Sequence, residues 1–128
     1  MTHDTDKLLL ILDLDETLLH SSDERLGRAE DFQLFGYFVY LRPHLAHFLA
    51  ECAARFRLAV WSSASDDYVA EIVKRLFPPP LALEFAWGRG RCTLALDSAM
   101  VQTTGYLDPS SHYSYVKKLH KVRRRGYP

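Results

Sequence analysis

Two carboxylates sit two residues apart at the end of an apolar run, Leu8-Leu9-Leu10-Ile11-Leu12-Asp13-Leu14-Asp15-Glu16-Thr17-Leu18. In an extended chain, residues i and i+2 point to the same side, so Asp13 and Asp15 are expected to project together. Carboxylates that close repel, and burial sharpens the repulsion. A divalent cation or a shared proton would offset it, and oxygen-only ligands at a site open to phosphate favour magnesium, Mg2+. Such a pair suits attack on phosphorus. One carboxylate can act as nucleophile and form an aspartyl-phosphate. The other can protonate the leaving oxygen and then deprotonate the water that resolves the intermediate. Positive charge must gather round the transferring group, and a metal supplies part of it. A bare Asp-x-Asp also occurs wherever a strand runs into a polar loop, so the pair alone decides nothing.

The elements around the pair place it. Leu8–Leu12 suits a short strand buried on both faces; periodicity alone does not separate it from buried helix, but the acids that follow argue for a strand ending at a polar site. Ser21 to Glu30 reads as a polar loop. Asp31 to Leu41 reads as a hairpin about Gly36, with Phe32, Leu34, Tyr37 and Val39 as strand residues. Pro43 suits the first turn of a helix, where its missing N–H costs nothing. Leu45, Phe48, Leu49, Cys52 and Phe56 follow as one apolar stripe. Leu58–Trp61 is a second buried strand that ends in Ser62-Ser63. Ser65 is a candidate N-cap with Asp66 and Asp67 in the first turn of a helix. Val69, Ile72, Val73 and Leu76 form its inner face, and Pro78-Pro79-Pro80 stops it. Leu83–Trp87 reads as a third strand before a Gly-Arg-Gly-Arg turn. Tyr113 to Arg125 reads as a last amphipathic helix with Val116, Leu119 and Val122 inward. Strand–helix repeats in this order imply an α/β fold with a parallel sheet. Ligands of such sheets bind beyond the carboxyl ends of the strands, where Asp13, Asp15, Ser62 and Ser63 fall.

The bulk properties exclude several classes. A length of 128 residues fits one domain, and 48% hydrophobic with 25% charged residues is ordinary globular composition. Formal net charge is zero, so no global field favours nucleic acid or an anionic membrane. Lys117, Lys118, Lys121, Arg123, Arg124 and Arg125 make a local basic run, read as a solvated helix face rather than a nucleic-acid site. No segment approaches the roughly twenty apolar residues that span a bilayer. Cys52 and Cys92 form neither a disulfide scaffold nor a CxxC pair, and the N-terminus lacks the order of a signal peptide. A reduced, cytoplasmic setting is expected.

Asp13-Leu14-Asp15-Glu16-Thr17-Leu18-Leu19-His20 resembles the first motif, DxDx[TV], of the haloacid dehalogenase (HAD) superfamily. Its DLDETL-x-H form is similar to the branch of NLI-interacting-factor-like phosphatases, which includes small phosphatases acting on the C-terminal domain of RNA polymerase II. Leu41-Arg42-Pro43 resembles that branch's "RP" before a helix, and Val60-Trp61-Ser62-Ser63-Ala64 its second motif. Tyr115-Val116-Lys117-Lys118-Leu119 resembles the segment with its third-motif lysine. The resemblance implies a HAD-like (Rossmannoid) parallel sheet with flanking helices, a short hairpin flap and no large cap. It implies a magnesium-dependent phosphomonoesterase with Asp13 as nucleophile and metal ligand. Asp15 would be the general acid/base, its carbonyl also on the metal. Ser62 would donate to the phosphoryl group and Lys117 would neutralise it. Thr17 would brace the turn, and Thr17, Ser63 and Arg89 would lie on the substrate side. Residue by residue, plainer readings stay open: a strand-end serine at Ser62, Lys118 in place of Lys117, an exposed turn arginine at Arg89, and a packing or hydrogen-bonding role for His20. With only the hairpin and the segment Leu83–Leu107 to cover the site, a phosphorylated protein side chain or a small phosphate ester is the expected partner.

The branch's fourth motif, an acidic pair or Asp-Asn after a further strand, does not follow Lys117. Asp97 and Asp108 both precede it. The expectation is therefore a single partial domain over 1–128 with its C-terminal strands missing. That leaves one edge of Leu8–Leu12 open to self-association. A catalytically silent pairing module is the alternative function.

Overall fold

A computed structural model of the chain describes residues 7–96 and 113–126. The elements run β1 (Leu9–Leu12), β2 (Leu19–Ser22), β3 (Phe32–Leu34), β4 (Tyr37–Leu41), α1 (Leu45–Arg55), β5 (Arg57–Trp61), α2 (Asp66–Leu76), β6 (Leu83–Trp87), a 3-10 turn (Arg89–Arg91), β7 (Thr93–Leu96), β8 (Tyr113–Val116) and α3 (His120–Arg124).

The three apolar runs make one parallel sheet in the order β1-β5-β6. β5, the central strand, is buried from Leu58 to Trp61, as a strand covered on both faces should be, whereas the edge strand β6 alternates and leaves Glu84 and Ala86 exposed. Leu10, Leu12, Leu58, Val60 and Leu83 face the main core, with Leu45, Leu49 and Cys52 of α1 and Val69, Ile72 and Leu76 of α2. Leu9, Ile11, Trp61, Phe85 and Trp87 face the other way, where Val122 of α3 packs on them. Trp61 and Trp87 meet edge to face with ring centroids 5.0 Å apart, a favoured aromatic geometry. Among the described residues the outer edge of β1 carries no further strand.

Asp31 to Leu41 forms the expected hairpin. Leu34 pairs with Tyr37 across a two-residue loop in which Phe35 (φ 50) and Gly36 (φ 82) are both left-handed, the requirement of a tight hairpin loop that follows strand twist. The polar stretch from Ser21 is only partly a loop. Leu19–Ser22 pairs antiparallel with β4 and widens the hairpin to three strands. Tyr40 pins the remaining loop, its hydroxyl accepting from Leu26 N at 2.8 Å and donating to the Arg28 carbonyl at 3.2 Å.

Three other expectations are corrected. Pro43 lies outside α1, because His44 adopts a left-handed conformation (φ 64) before the helix begins at Leu45. Phe48 leaves the buried stripe and is 46% exposed, since the core-facing side of α1 is filled by Leu45, Leu49 and Cys52. The C-terminal segment is not one helix: Tyr113–Val116 pairs antiparallel with β7, and the helix is confined to His120–Arg124. Val116 and Leu119 are consequently exposed and only Val122 is buried. Ser65 caps α2 as expected, its hydroxyl accepting from Tyr68 N at 3.4 Å, with Asp66 and Asp67 in the first turn.

Candidate active site

Leu14, with no exposed surface, is the anchor between the two acids. Burying a leucine stabilises by roughly 2 kcal/mol, and period-two alternation then turns Asp13 and Asp15 out of the core. The turn after them is tight. The amides of Thr17, Leu18 and Leu19 all donate to the Leu14 carbonyl, at 3.1, 2.9 and 3.3 Å. Glu16 takes φ 65 to make this possible, a conformation that costs a side-chain-bearing residue roughly 1 kcal/mol. Arg42 clamps the same turn, donating from its guanidinium to the Thr17 carbonyl at 2.8 Å and from its backbone to the Leu18 carbonyl at 2.9 Å. Thr17 thus braces the turn through its backbone. His20 bonds the Glu16 carboxylate at the rim of the turn.

The acids reach different partners. Asp13 Oδ1 accepts from Leu14 N at 2.9 Å and from Lys117 Nζ at 3.0 Å. The lysine lies 104 residues further along the chain, just past β8, and its neighbour Lys118 is exposed. Asp15 Oδ1 accepts from the Tyr68 hydroxyl at 2.9 Å, and that hydroxyl also bonds Ser21 Oγ. Burial raises the Asp15 carboxyl above its ordinary value; the Tyr68 bond opposes the rise and the nearby charge of Asp13 adds to it. Burial likewise raises the Tyr68 phenol, which therefore stays protonated.

Ser62 closes the inner end. It is 1% exposed and its hydroxyl accepts from Ala64 N at 3.0 Å. Among the described residues no acceptor takes its own O–H. Its backbone N donates to the Trp87 carbonyl at 2.8 Å, which fixes it at the carboxyl edge of the sheet. An open cleft of about 540 Å3 lies against the site, lined among others by Asp15, Ser21, Phe35, Tyr37, Tyr68 and Arg89. Arg89 is exposed, donates to the Ser63 carbonyl at 3.0 Å, and lies 4.7 Å from the Tyr115 ring centroid. Neither Thr17 nor Ser63 lines this cleft. Asp97 and Asp108 lie outside the described residues, as does the end of the segment Leu83–Leu107.

Tyr68 and Ser21 are the site residues that sequence reasoning passed over. Tyr68 reads as one more member of the α2 stripe with Val69, Ile72 and Leu76. Its position three residues after the N-cap Ser65, at the ligand-binding end of the sheet, was the available signal.

The loop that carries Arg89 is held by close approach to α2. Gly90 N donates to Asp66 Oδ1 at 3.0 Å. A Cβ on Gly88 would stand 2.5 Å from Asp66 Oδ1, 3.0 Å from Asp66 Cα and 3.1 Å from the Ala64 carbonyl. Two of those atoms are backbone and cannot swing aside. Gly88→Ala is therefore expected to destabilise by about 1–3 kcal/mol in urea denaturation. Gly90→Ala, whose Cβ meets only the Asp66 side chain, should cost less; equal costs would count against this account.

The family model of NLI interacting factor-like phosphatases matches residues 8–126. The chain belongs to this family. Among relatives of this phosphatase family, CTD nuclear envelope phosphatase 1 of Xenopus laevis is 31% identical over 105 residues, 70% of this chain and 43% of its own length. CTD small phosphatase-like protein 3 of Caenorhabditis elegans is 37% identical over 84 residues, 60% of this chain and 29% of its own. The chain spans less than half the length of the curated relatives it matches. A solved structure of Fcp1, an essential RNA polymerase II CTD phosphatase, superposes with a TM-score of 0.54 at 22% identity, over 66% of this chain and 30% of that one. That likeness establishes the HAD-like α/β fold of this family member.

Proposed function

We propose that the chain is a magnesium-dependent phosphomonoesterase working through an aspartyl-phosphate on Asp13. The observation that carries this reading is the 3.0 Å pair of Lys117 Nζ with Asp13 Oδ1, beside a second acid that its surroundings push towards the protonated form. A nucleophile, a cation for the phosphoryl oxygens and an acid for the leaving group then share one sheet edge.

In the first step an Asp13 carboxylate oxygen bonds to phosphorus while the bond to the ester oxygen breaks. That oxygen leaves with a proton from Asp15. In the second, Asp15 takes a proton from water, the water oxygen bonds to phosphorus, and Asp13 is released with inorganic phosphate. Lys117 spreads positive charge over the phosphoryl oxygens, and the Ser62 O–H, which meets no acceptor among the described residues, donates to one of them.

The donor set suits magnesium in a limited way. Among the described residues no group of three or more His, Cys, Asp or Glu side chains converges. No hydrogen bond among them reaches Asp13 Oδ2. Mg2+ keeps several of its waters and is content with one or two protein carboxylates plus phosphate, so the Asp13 carboxylate and the Asp15 carbonyl would hold it. When bound it supplies charge to the phosphoryl group.

The substrate we propose is a phosphorylated serine or threonine on a polypeptide. The openness of the cleft supports this, as do the exposed Phe35 and Tyr37 on its wall, which offer apolar surface to a peptide. The names of the relatives, CTD phosphatases, point the same way.

Aryl phosphate hydrolysis by the 128-residue chain should require magnesium and stop with a chelator. Acid quenching during turnover should trap phosphate in a hydroxylamine-sensitive, acyl-linked form on the peptide containing Asp13. Turnover that persists in chelator, or phosphate trapped elsewhere, would overturn the reading. A phosphopeptide cleaved no better than a small alkyl phosphate would remove the polypeptide substrate alone.

A further inference from the structure

Residues from three elements meet in one hydrogen-bond chain that ends on Asp15 Oδ1, and the chemistry above does not use two of them. Tyr68 comes from the first turn of α2, Ser21 from β2 of the hairpin, and Asp15 from the turn after β1. A phenol has a single hydrogen. Tyr68 donates it to Asp15 Oδ1, so in the bond between the two hydroxyls the hydrogen comes from Ser21. The result is a directed chain, Ser21 O–H to Tyr68 O–H to Asp15 Oδ1. Among the described residues no hydrogen bond reaches Asp15 Oδ2.

We propose that Tyr68, backed by Ser21, is a positioning residue for the leaving-group proton. It holds Oδ1 of Asp15 so that Oδ2 faces the departing ester oxygen. This rests on the reading of Asp15 as the acid. A carboxylate pinned by one oxygen no longer turns freely about its terminal torsion, which is otherwise broad. Tyr68 is a stiff anchor: it is 6% exposed, its ring belongs to the main core, and its helix is capped by Ser65. The bond also ties the acid to the hairpin that forms one wall of the cleft. Loss of the anchor should misplace the proton donor while leaving the nucleophile, Lys117 and Ser62 where they are. A misplacement of about 1 Å costs on the order of 100-fold.

Tyr68 also lines the cleft, so direct contact with substrate is the competing role, and the leaving group separates the two. A good leaving group departs without a proton, whereas a poor one depends on it. The test compares kcat/KM for a series running from phenyl phosphate to 2,4-dinitrophenyl phosphate, with magnesium, in the 128-residue chain. That constant covers the steps through phosphoryl transfer to Asp13 and omits hydrolysis of the intermediate. In Tyr68→Phe, the dependence on leaving-group pKa should steepen, widening the ratio between the extremes by about tenfold or more. Ser21→Ala should steepen it in the same direction by less. Parallel lines, with every ester slowed equally, would overturn the proposal while leaving the aspartyl-phosphate reading intact. If Tyr68→Phe does not fold, Ser21→Ala decides, and an unchanged slope there overturns the proposal. Should the unaltered chain turn over no ester in an Asp13-dependent way, the underlying reading falls and this one with it.

Discussion

Asp13→Asn is expected to lower aryl phosphate turnover by about 10,000-fold or more, the scale seen when a covalent nucleophile is removed from an enzyme. The substitution changes little else. Asparagine keeps a carbonyl oxygen that can accept from Leu14 N, now 2.9 Å away, and it occupies the same volume. What it forfeits is the charge opposite Lys117. Both side chains of that pair are partly exposed, at 43% for Asp13 and 30% for Lys117, and such pairs are worth only about 0–1 kcal/mol in stability. Loss of turnover with a nearly unchanged unfolding midpoint is therefore the expected combination. Full turnover in Asp13→Asn would remove the residue from the chemistry.

How much of this could be read from the chain depended on whether the signal was local. β1 and β5 were legible as short apolar runs that end in Asp13 and Ser62, and β6 as a short run of strand-forming residues before the Gly-Arg-Gly-Arg turn. The hairpin was legible because Gly36 marks a tight loop that needs left-handed residues. The C-terminal segment misled for a physical reason. Val116, Leu119 and Val122 are spaced three apart, as on a helix face, yet Tyr113-Ser114-Tyr115-Val116 is equally good strand sequence. Its pairing with Thr93–Leu96 settles the matter, and nothing in so short a stretch announces that partner. Pro43 and Phe48 failed on the same ground: each obeys a local helix rule, but the turn at His44 and the filling of the core by Leu49 and Cys52 decide against them.

The site divides along the same line. Asp13 and Asp15 share a strand end, so their alternation was visible in five letters. Partners drawn from elsewhere were less so. Lys117 could be named only by likeness to a family segment. Tyr68, 53 residues from Asp15, lies outside the motif segments and reads as an ordinary core aromatic. A buried phenol needs a partner, and only the fold says which.

Lys117→Ala should lower kcat/KM by about 100- to 1,000-fold, the usual cost of removing one preorganised charge or donor from a transition state. Lys118→Ala should change it little. The contrast follows from where the strand leaves the two side chains. Tyr115 lies in β8 and Lys117 is the first residue past it, and each has a partner at the site. The Tyr115 ring lies 4.7 Å from the Arg89 guanidinium at the cleft, and the Lys117 ammonium lies 3.0 Å from Asp13. Lys118 is exposed and makes no hydrogen bond or ion pair with either acid among the described residues. Removing Lys117 also strips Asp13 of its only cation among the described residues, and it leaves the charge that develops over the three phosphoryl oxygens without a neutralising partner. A larger drop in Lys118→Ala than in Lys117→Ala would reverse the assignment and place the catalytic charge on Lys118.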